Sequence, residues 1–176
     1  EEPVLDELKE AKSVIIASGL VDKITDYMNS NFQLPEPVQI LFTKDFGERP
    51  YYDDESRHII IPYSFWVECH KRFEQEYSST FMGNSVDELC EAVMAHTIYH
   101  ELGHALIDVC KLPVTGREEN VADEFAVLML LDSFTEGRDM ALIAGDYFAL
   151  EGNNLKEVTD EDLFDEHALD DQRFFT

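Results

Sequence analysis

The spacing of apolar residues divides the chain into elements. Leu5, Leu8, Ala11, Val14 and Ile15 recur at helical intervals, so residues 4 to 30 read as helix, broken in two at Gly19. The stretch "PVQILFTK" (37 to 44) is short, rich in β-sheet formers and preceded by proline, which predicts a strand. A second strand is expected at "RHIII" (57 to 61), after a turn-like "YYDDES" and before Pro62. Helical spacing returns over 63 to 77, and residues 78 to 84, with Gly83 and Asn84, read as a loop.

Residues 85 to 88, "SVDE", have the form of a capping box. Ser85 can accept from the backbone N–H of Glu88, whose side chain can reach back. A helix starting there should run to about Cys110, with Pro113 and Gly116 marking its exit. Further helices are expected over 117 to 134, before Gly137, over 138 to 151 and over 160 to 170. Thr159 and Asp162 offer the last of these a weaker box. The class predicted is α+β, mostly helical with a small sheet, in a single domain spanning 1 to 176.

Composition narrows the partners. With 44% hydrophobic and 29% charged residues, the chain reads as soluble and globular. Its net charge of -25 repels phosphate backbones, so nucleic acid is not an expected partner, and the excess reads as a solvated acidic coat. No apolar run reaches the roughly 18 residues a membrane span needs. The opening "EEPVLDELKE" has neither a basic start nor an apolar core, so no signal peptide is expected in it. Cys69, Cys90 and Cys110 form no C-x-x-C pair, so a thiolate zinc site is not expected. On one helix, Cys90 and Cys110 would lie about 30 Å apart, too far for a disulfide, whereas Cys69 can pair with either.

The candidate chemistry lies in "HTIYHELGHALIDVC" (96 to 110). At about 100° per residue, His100, His104 and Glu101 fall within one arc of about 100°, so both imidazoles can converge on one ion with Glu101 beside it. Met94, Ala95, Ile98, Leu102, Ala105, Leu106 and Val109 are expected on the opposite side, anchoring the helix while the histidines face a cleft. Gly103 admits a close neighbour. Zinc suits neutral imidazole nitrogens, and a catalytic zinc site takes three protein ligands plus water. A carboxylate beside that water can act as general base, the role expected of Glu101. The rival reading is a core helix with two ordinary polar histidines.

A third ligand is expected from "GREENVADEFAVLML" (116 to 130). Glu119 and Asp123, four apart, share a helical face. Glu119 would complete a His, His, Glu set, and Asp123 could accept a hydrogen bond from the free ring N–H of His100. Glu118 is the alternative ligand. The plainer reading is an acidic helix start that favours the macrodipole.

"HELGHALID" followed by "LPVTGREENVADEFA" resembles a bacterial family described as metallopeptidases, a domain of otherwise unknown function. "DEHALDDQRF" (165 to 174) is similar to that family's ending, and "YYDDESRHIIIPYSF" to its tyrosine-containing turn, strand and helix. The resemblance covers roughly residues 40 to 174. It implies a zincin-like fold, Zn2+ held by His100, His104 and Glu119, Glu101 as base, a peptide or protein substrate, and secreted or periplasmic residence. Where relatives tend to have an Asn-Ala pair this chain has Arg49 and Pro50, and Pro62 stands where many carry a cysteine.

Supporting roles follow. Zincins commonly bind substrate as an added strand, and strand 57 to 61 is the candidate edge, unless it is simply a buried strand. His167, oriented by Asp165 or Glu166, is the leading donor to the reaction's oxyanion, with Tyr51, Tyr52 and Tyr147 as rivals. Arg173 is a candidate to hold the C-terminal segment. His96, one turn before His100, is expected near the ligands or in solvent. Tyr99 and Trp66 read as packing residues, and His58 and His70 carry no pattern. Besides a peptidase, a metal-stabilised binding module without hydrolytic activity and a metal-free acidic interaction protein fit the same sequence.

Overall fold

The computed structural model describes residues 2–44, 49–77 and 80–154. Helices α1 (Asp6–Ser18) and α2 (Leu20–Asn31) are separated by Gly19 in the left-handed conformation, φ 66°, which a side chain would strain. Three strands follow, β1 (Gln39–Thr43), β2 (Tyr51–Asp53) and β3 (His58–Pro62), then α3 (Tyr63–Glu76). The short strands β4 (Thr80–Phe81) and β5 (Asn84–Ser85) lead into α4 (Val86–Cys110), α5 (Glu118–Ser133) and α6 (Gly137–Asn154). The described chain is mostly helical with a small three-stranded sheet, as α+β requires. The helix expected over 160 to 170 lies outside the described residues.

Two expectations are corrected in the sheet. Its order is β1-β3-β2, so β3 is the centre and not the edge. It pairs in parallel with β1, from Gln39↔His58 to Thr43↔Pro62, and antiparallel with β2. The run of three isoleucines explains this: Ile59 and Ile61 are fully buried, and the most apolar strand takes the position covered on both sides. Tyr51–Asp53, expected within a turn, is instead the rim strand β2, with Tyr51↔Ile60 and Tyr52↔Ile59 in register. The turn proper comes after it. Asp53 Oδ1 accepts from the Glu55 backbone N–H at 3.1 Å, Asp53 Oδ2 accepts from Ser56 Oγ at 2.6 Å, and Arg57 takes a left-handed φ of 58°. The loop expected over 78 to 84 contains a minimal hairpin, β4–β5, turning through left-handed Met82 and Gly83.

Helix α4 is the spine. Its start carries both halves of the capping box: Glu88 N–H donates to Ser85 Oγ, and Ser85 N–H donates to Glu88 Oε2 at 2.7 Å. Lys111, left-handed at φ 51°, ends it. α5, α6, α3 and the sheet all pack against α4, so nearly every residue from Leu89 to Ala105 is buried. The one-sided apolar stripe expected of this helix is therefore corrected. Residues on its polar arc, His96, Thr97, His100 and Glu101, are buried too. A helix covered all round must give each buried polar group a partner or a function. No helix among the described residues is long and apolar enough to cross a membrane.

Candidate metal centre

The site is made where α5 crosses α4. Glu119, Ala122, Asp123, Ala126 and Leu130 form the buried stripe of α5, so the packing that buries the alanines also turns the two carboxylates inward. The crossing depends on Gly103. A Cβ there would stand 3.0 Å from Ala122 Cα and 3.2 Å from Ala122 Cβ, so a glycine lets the two backbones approach.

At this crossing the ring nitrogens and carboxylates converge. His100 Nε2 and His104 Nε2 are 3.1 Å apart. Glu119 reaches both, with Oε2 at 3.2 Å from His100 Nε2 and Oε1 at 3.3 Å from His104 Nε2. One ligand atom from each of the three residues lies within 4.8 Å of the others. The opposite nitrogens are also engaged. His100 Nδ1 is 2.8 Å from Asp123 Oδ1, and His104 Nδ1 is 2.8 Å from Glu118 Oε1. A carboxylate on Nδ1 favours the proton there and turns the Nε2 lone pair toward the cluster.

Burial differs across the group. His100 is 1% exposed and Glu101 2%. The Glu118 side chain, by contrast, is 48% exposed, which places the His104 side of the cluster toward solvent. Burial pulls the His104 imidazolium pKa down, but its hydrogen bonds to the Glu119 and Glu118 carboxylates outweigh it and raise the value to about 9.

This donor set fits a divalent cation. Two imidazole nitrogens and one carboxylate oxygen converge in a buried place, the mixture that catalytic zinc sites use. Glu101 adds an independent observation. Its Oε2 is buried and has no hydrogen-bond partner among the described residues, although it belongs to the residue following His100. A buried carboxylate oxygen without a partner is costly unless something absent from the protein atoms uses it.

His96 does not face solvent: it is buried, stacked 6.4 Å from the His100 ring and edge-on to Phe148 at 5.2 Å. Tyr52 donates its hydroxyl to Asp108 Oδ2 at 2.9 Å, one turn beyond His104, which ties β2 to α4. Tyr147 is buried among Phe65, Phe73 and Arg72. Tyr51, on the rim strand, is 40% exposed. Tyr99 and Trp66 are core residues, as expected. His167, Asp165, Glu166 and Arg173 lie outside the described residues. Sequence reasoning offered Glu118 as a ligand and missed its contact with His104 Nδ1. The signal was available in the adjacency of two carboxylates, which on a helix point about 100° apart and so cannot serve the same atom. A cavity of about 460 Å³ between α2, β1 and Leu102 lies on another side of α4, since Leu102 projects about 200° round from His100.

Over residues 1–176 the sequence matches the model of a family described as "Putative metallopeptidase". The chain belongs to this family. No curated protein and no solved structure matches it. For a member of a metallopeptidase family, the buried His100, His104 and Glu119 group is the place in the described residues where a metal ion fits.

Proposed function

We propose that this family member is a zinc-dependent peptidase with a zincin-like active site, built on His100, His104 and Glu119 as ligands and Glu101 as general base. The observation that carries the reading is the unpartnered Glu101 Oε2, buried beside the three converging donors. When bound, Zn2+ polarises the scissile carbonyl and brings the pKa of water down to about 7.

The protein's own groups do the rest. Glu101 takes the proton of the attacking water on Oε2 and passes it to the departing amine. Asp123 and Glu118 hold the two imidazoles in the tautomer that presents Nε2. The peptide lies along the rim strand β2, the edge tied to α4 through Tyr52 and Asp108, gaining main-chain hydrogen bonds with little demand on sequence. His167 donates to the oxyanion that develops on the attacked carbonyl, and its removal should lower turnover about 10²–10³-fold. We place the protein in a secreted or periplasmic setting.

The deciding test is Glu101→Gln. It should keep near-stoichiometric zinc by elemental analysis while turnover of a peptide library falls by about 10²–10⁴-fold. Unchanged turnover by that variant defeats the mechanism. A metal-stabilised binding module would instead unfold on chelation and cleave nothing in the library, with or without Glu101.

A further inference from the structure

The sheet has a second open edge, β1, and the core beneath it is not filled. Among the described residues β1 pairs only with β3. The Gln39 N–H donates to the Arg57 C=O at 3.2 Å, on the β3 side. Strand alternation therefore turns the N–H and C=O of Ile40 the other way, toward the edge. On the core face, Ile40 is level with Ile59 and Phe42 with Ile61. The two isoleucines of β3 are fully buried, whereas Ile40 and Phe42 are only half-buried.

Each of these two borders a cavity shared with α2. Ile40 borders the cavity of about 460 Å³, which Ile24 and Met28 close from α2 and Leu102 from α4. Phe42 borders a second, of about 240 Å³, closed by Val21 of α2 and Ile16 of α1. Both exceed the roughly 150 Å³ that holds a benzene ring. They follow one another along the seam between α2 and β1. Their spacing is that of Ile40 and Phe42, two residues apart, or about 6.7 Å of strand.

We propose that the α2–β1 seam docks an extended basic peptide of a partner protein, which adds a strand beside β1 at Ile40 and places two apolar side chains, two residues apart, in the two cavities. An added strand gains main-chain hydrogen bonds at Ile40, as peptides do on exposed sheet edges. Its side chains at i and i+2 share one face, so an apolar pair at that interval meets both cavities at once. A small apolar molecule would fill one cavity and leave the edge unpaired. Charge sets the sign of the occupant. Asp22 and Glu36 line the cavities, and no lysine or arginine does. The chain's net charge of -25 repels a second copy, and residues 155–176 are themselves acidic. Lysine or arginine beside the apolar pair complements this wall. Leu102 projects about 200° round α4 from His100, so the seam is separate from the metal centre.

The probe is a fluorescein-labelled peptide, Lys-Thr-Phe-Thr-Leu-Thr-Lys, titrated with the full chain and followed by anisotropy. Saturable binding is expected. Bringing the apolar residues together, as Lys-Thr-Thr-Phe-Leu-Thr-Lys, should weaken it about 10-fold or more, because one of them leaves its cavity. N-methylation of one alternate set of the probe's amides should weaken binding several-fold, and of the other set should not. Glutamate in place of both lysines should abolish binding at low salt. Asn29→Trp, which fills the larger cavity, should weaken the lysine probe about 10-fold. Asp22→Lys, beside the smaller cavity, should weaken the lysine probe and admit the glutamate one. Asn29 and Asp22 are exposed, so the melting midpoint should hold in both variants. No saturable binding, equal affinity for the rearranged probe, or unchanged affinity in both variants overturns the proposal. Two other occupants would also overturn it: a second copy, seen as a sedimenting dimer that Asn29→Trp abolishes, or a small apolar molecule, seen as laurate bound in preference to every peptide. None of these readouts involves zinc or hydrolysis, so the peptidase reading stands or falls separately.

Discussion

His100 Nδ1 and Asp123 Oδ1 stand 2.8 Å apart, and this contact joins the helix that carries the histidines to the helix that carries the carboxylates. Both side chains are buried, so the pair cannot trade its partner for water. Asp123→Asn keeps the shape and removes the charge. Zinc affinity, measured by competition with a chelating dye, should fall by about 10–100-fold while the helical circular dichroism is kept. An unaltered affinity would show that Asp123 does nothing for His100.

Glu118 makes the equivalent contact with His104 from a half-exposed position, so its influence should be smaller. Glu118→Gln is expected to weaken zinc binding by about 10-fold, at the low end of the effect of such supporting carboxylates. Glu119→Gln should abolish stoichiometric binding. If the two variants exchange behaviours, Glu118 is the ligand and Glu119 the support.

Gly103 sets how closely the two helices cross, because an added Cβ meets Ala122 Cα at 3.0 Å. Gly103→Val should destabilise the fold by about 1–3 kcal/mol through overpacking, and it should also loosen zinc binding by moving Glu119 and Asp123 outward. Ala122→Gly in the same chain should restore part of both losses, as expected for residues in contact. Full zinc affinity in Gly103→Val would show that the crossing distance does not govern the site.

Asp108 offers a pH signature. Hydrogen bonds from Lys111 and Tyr52 hold its carboxyl below the usual range. A depressed carboxyl adds stability that is present above its unfolded pKa of about 3.9 and is lost as pH falls through the lower folded value. Asp108→Asn should therefore lower the melting midpoint at pH 7 by about 1–2 °C, a small effect because the side chain is partly exposed. The gap to the unaltered chain should close below about pH 4. A gap that persists unchanged in acid would assign the loss to packing.

The helices and their ends were legible in the sequence because their signals are local. Gly19, the Ser85–Glu88 box and the interval between Glu119 and Asp123 each act within a turn or two. The meeting of His100, His104 and Glu119 could be anticipated from helical angles alone. Strand order could not, since a five-residue apolar run says nothing about what lies on either side. β3 became central because β1 and β2 pair along its two edges while Ile59 and Ile61 pack one face into the core, a fact of tertiary packing. The burial of α4 on all sides was hidden for the same reason: its polar arc looked solvent-facing until α5 and α6 were seen to cover it.

The Gly103–Ala122 contact makes the gap between two rods the gauge of any ion held there. The His100 and His104 nitrogens ride on one rod and the Glu119 carboxylate on the other, so one methyl group at the crossing would change the spacing of the candidate ligands without altering any donor. Preference for a larger or smaller cation can then drift through residues that never touch it.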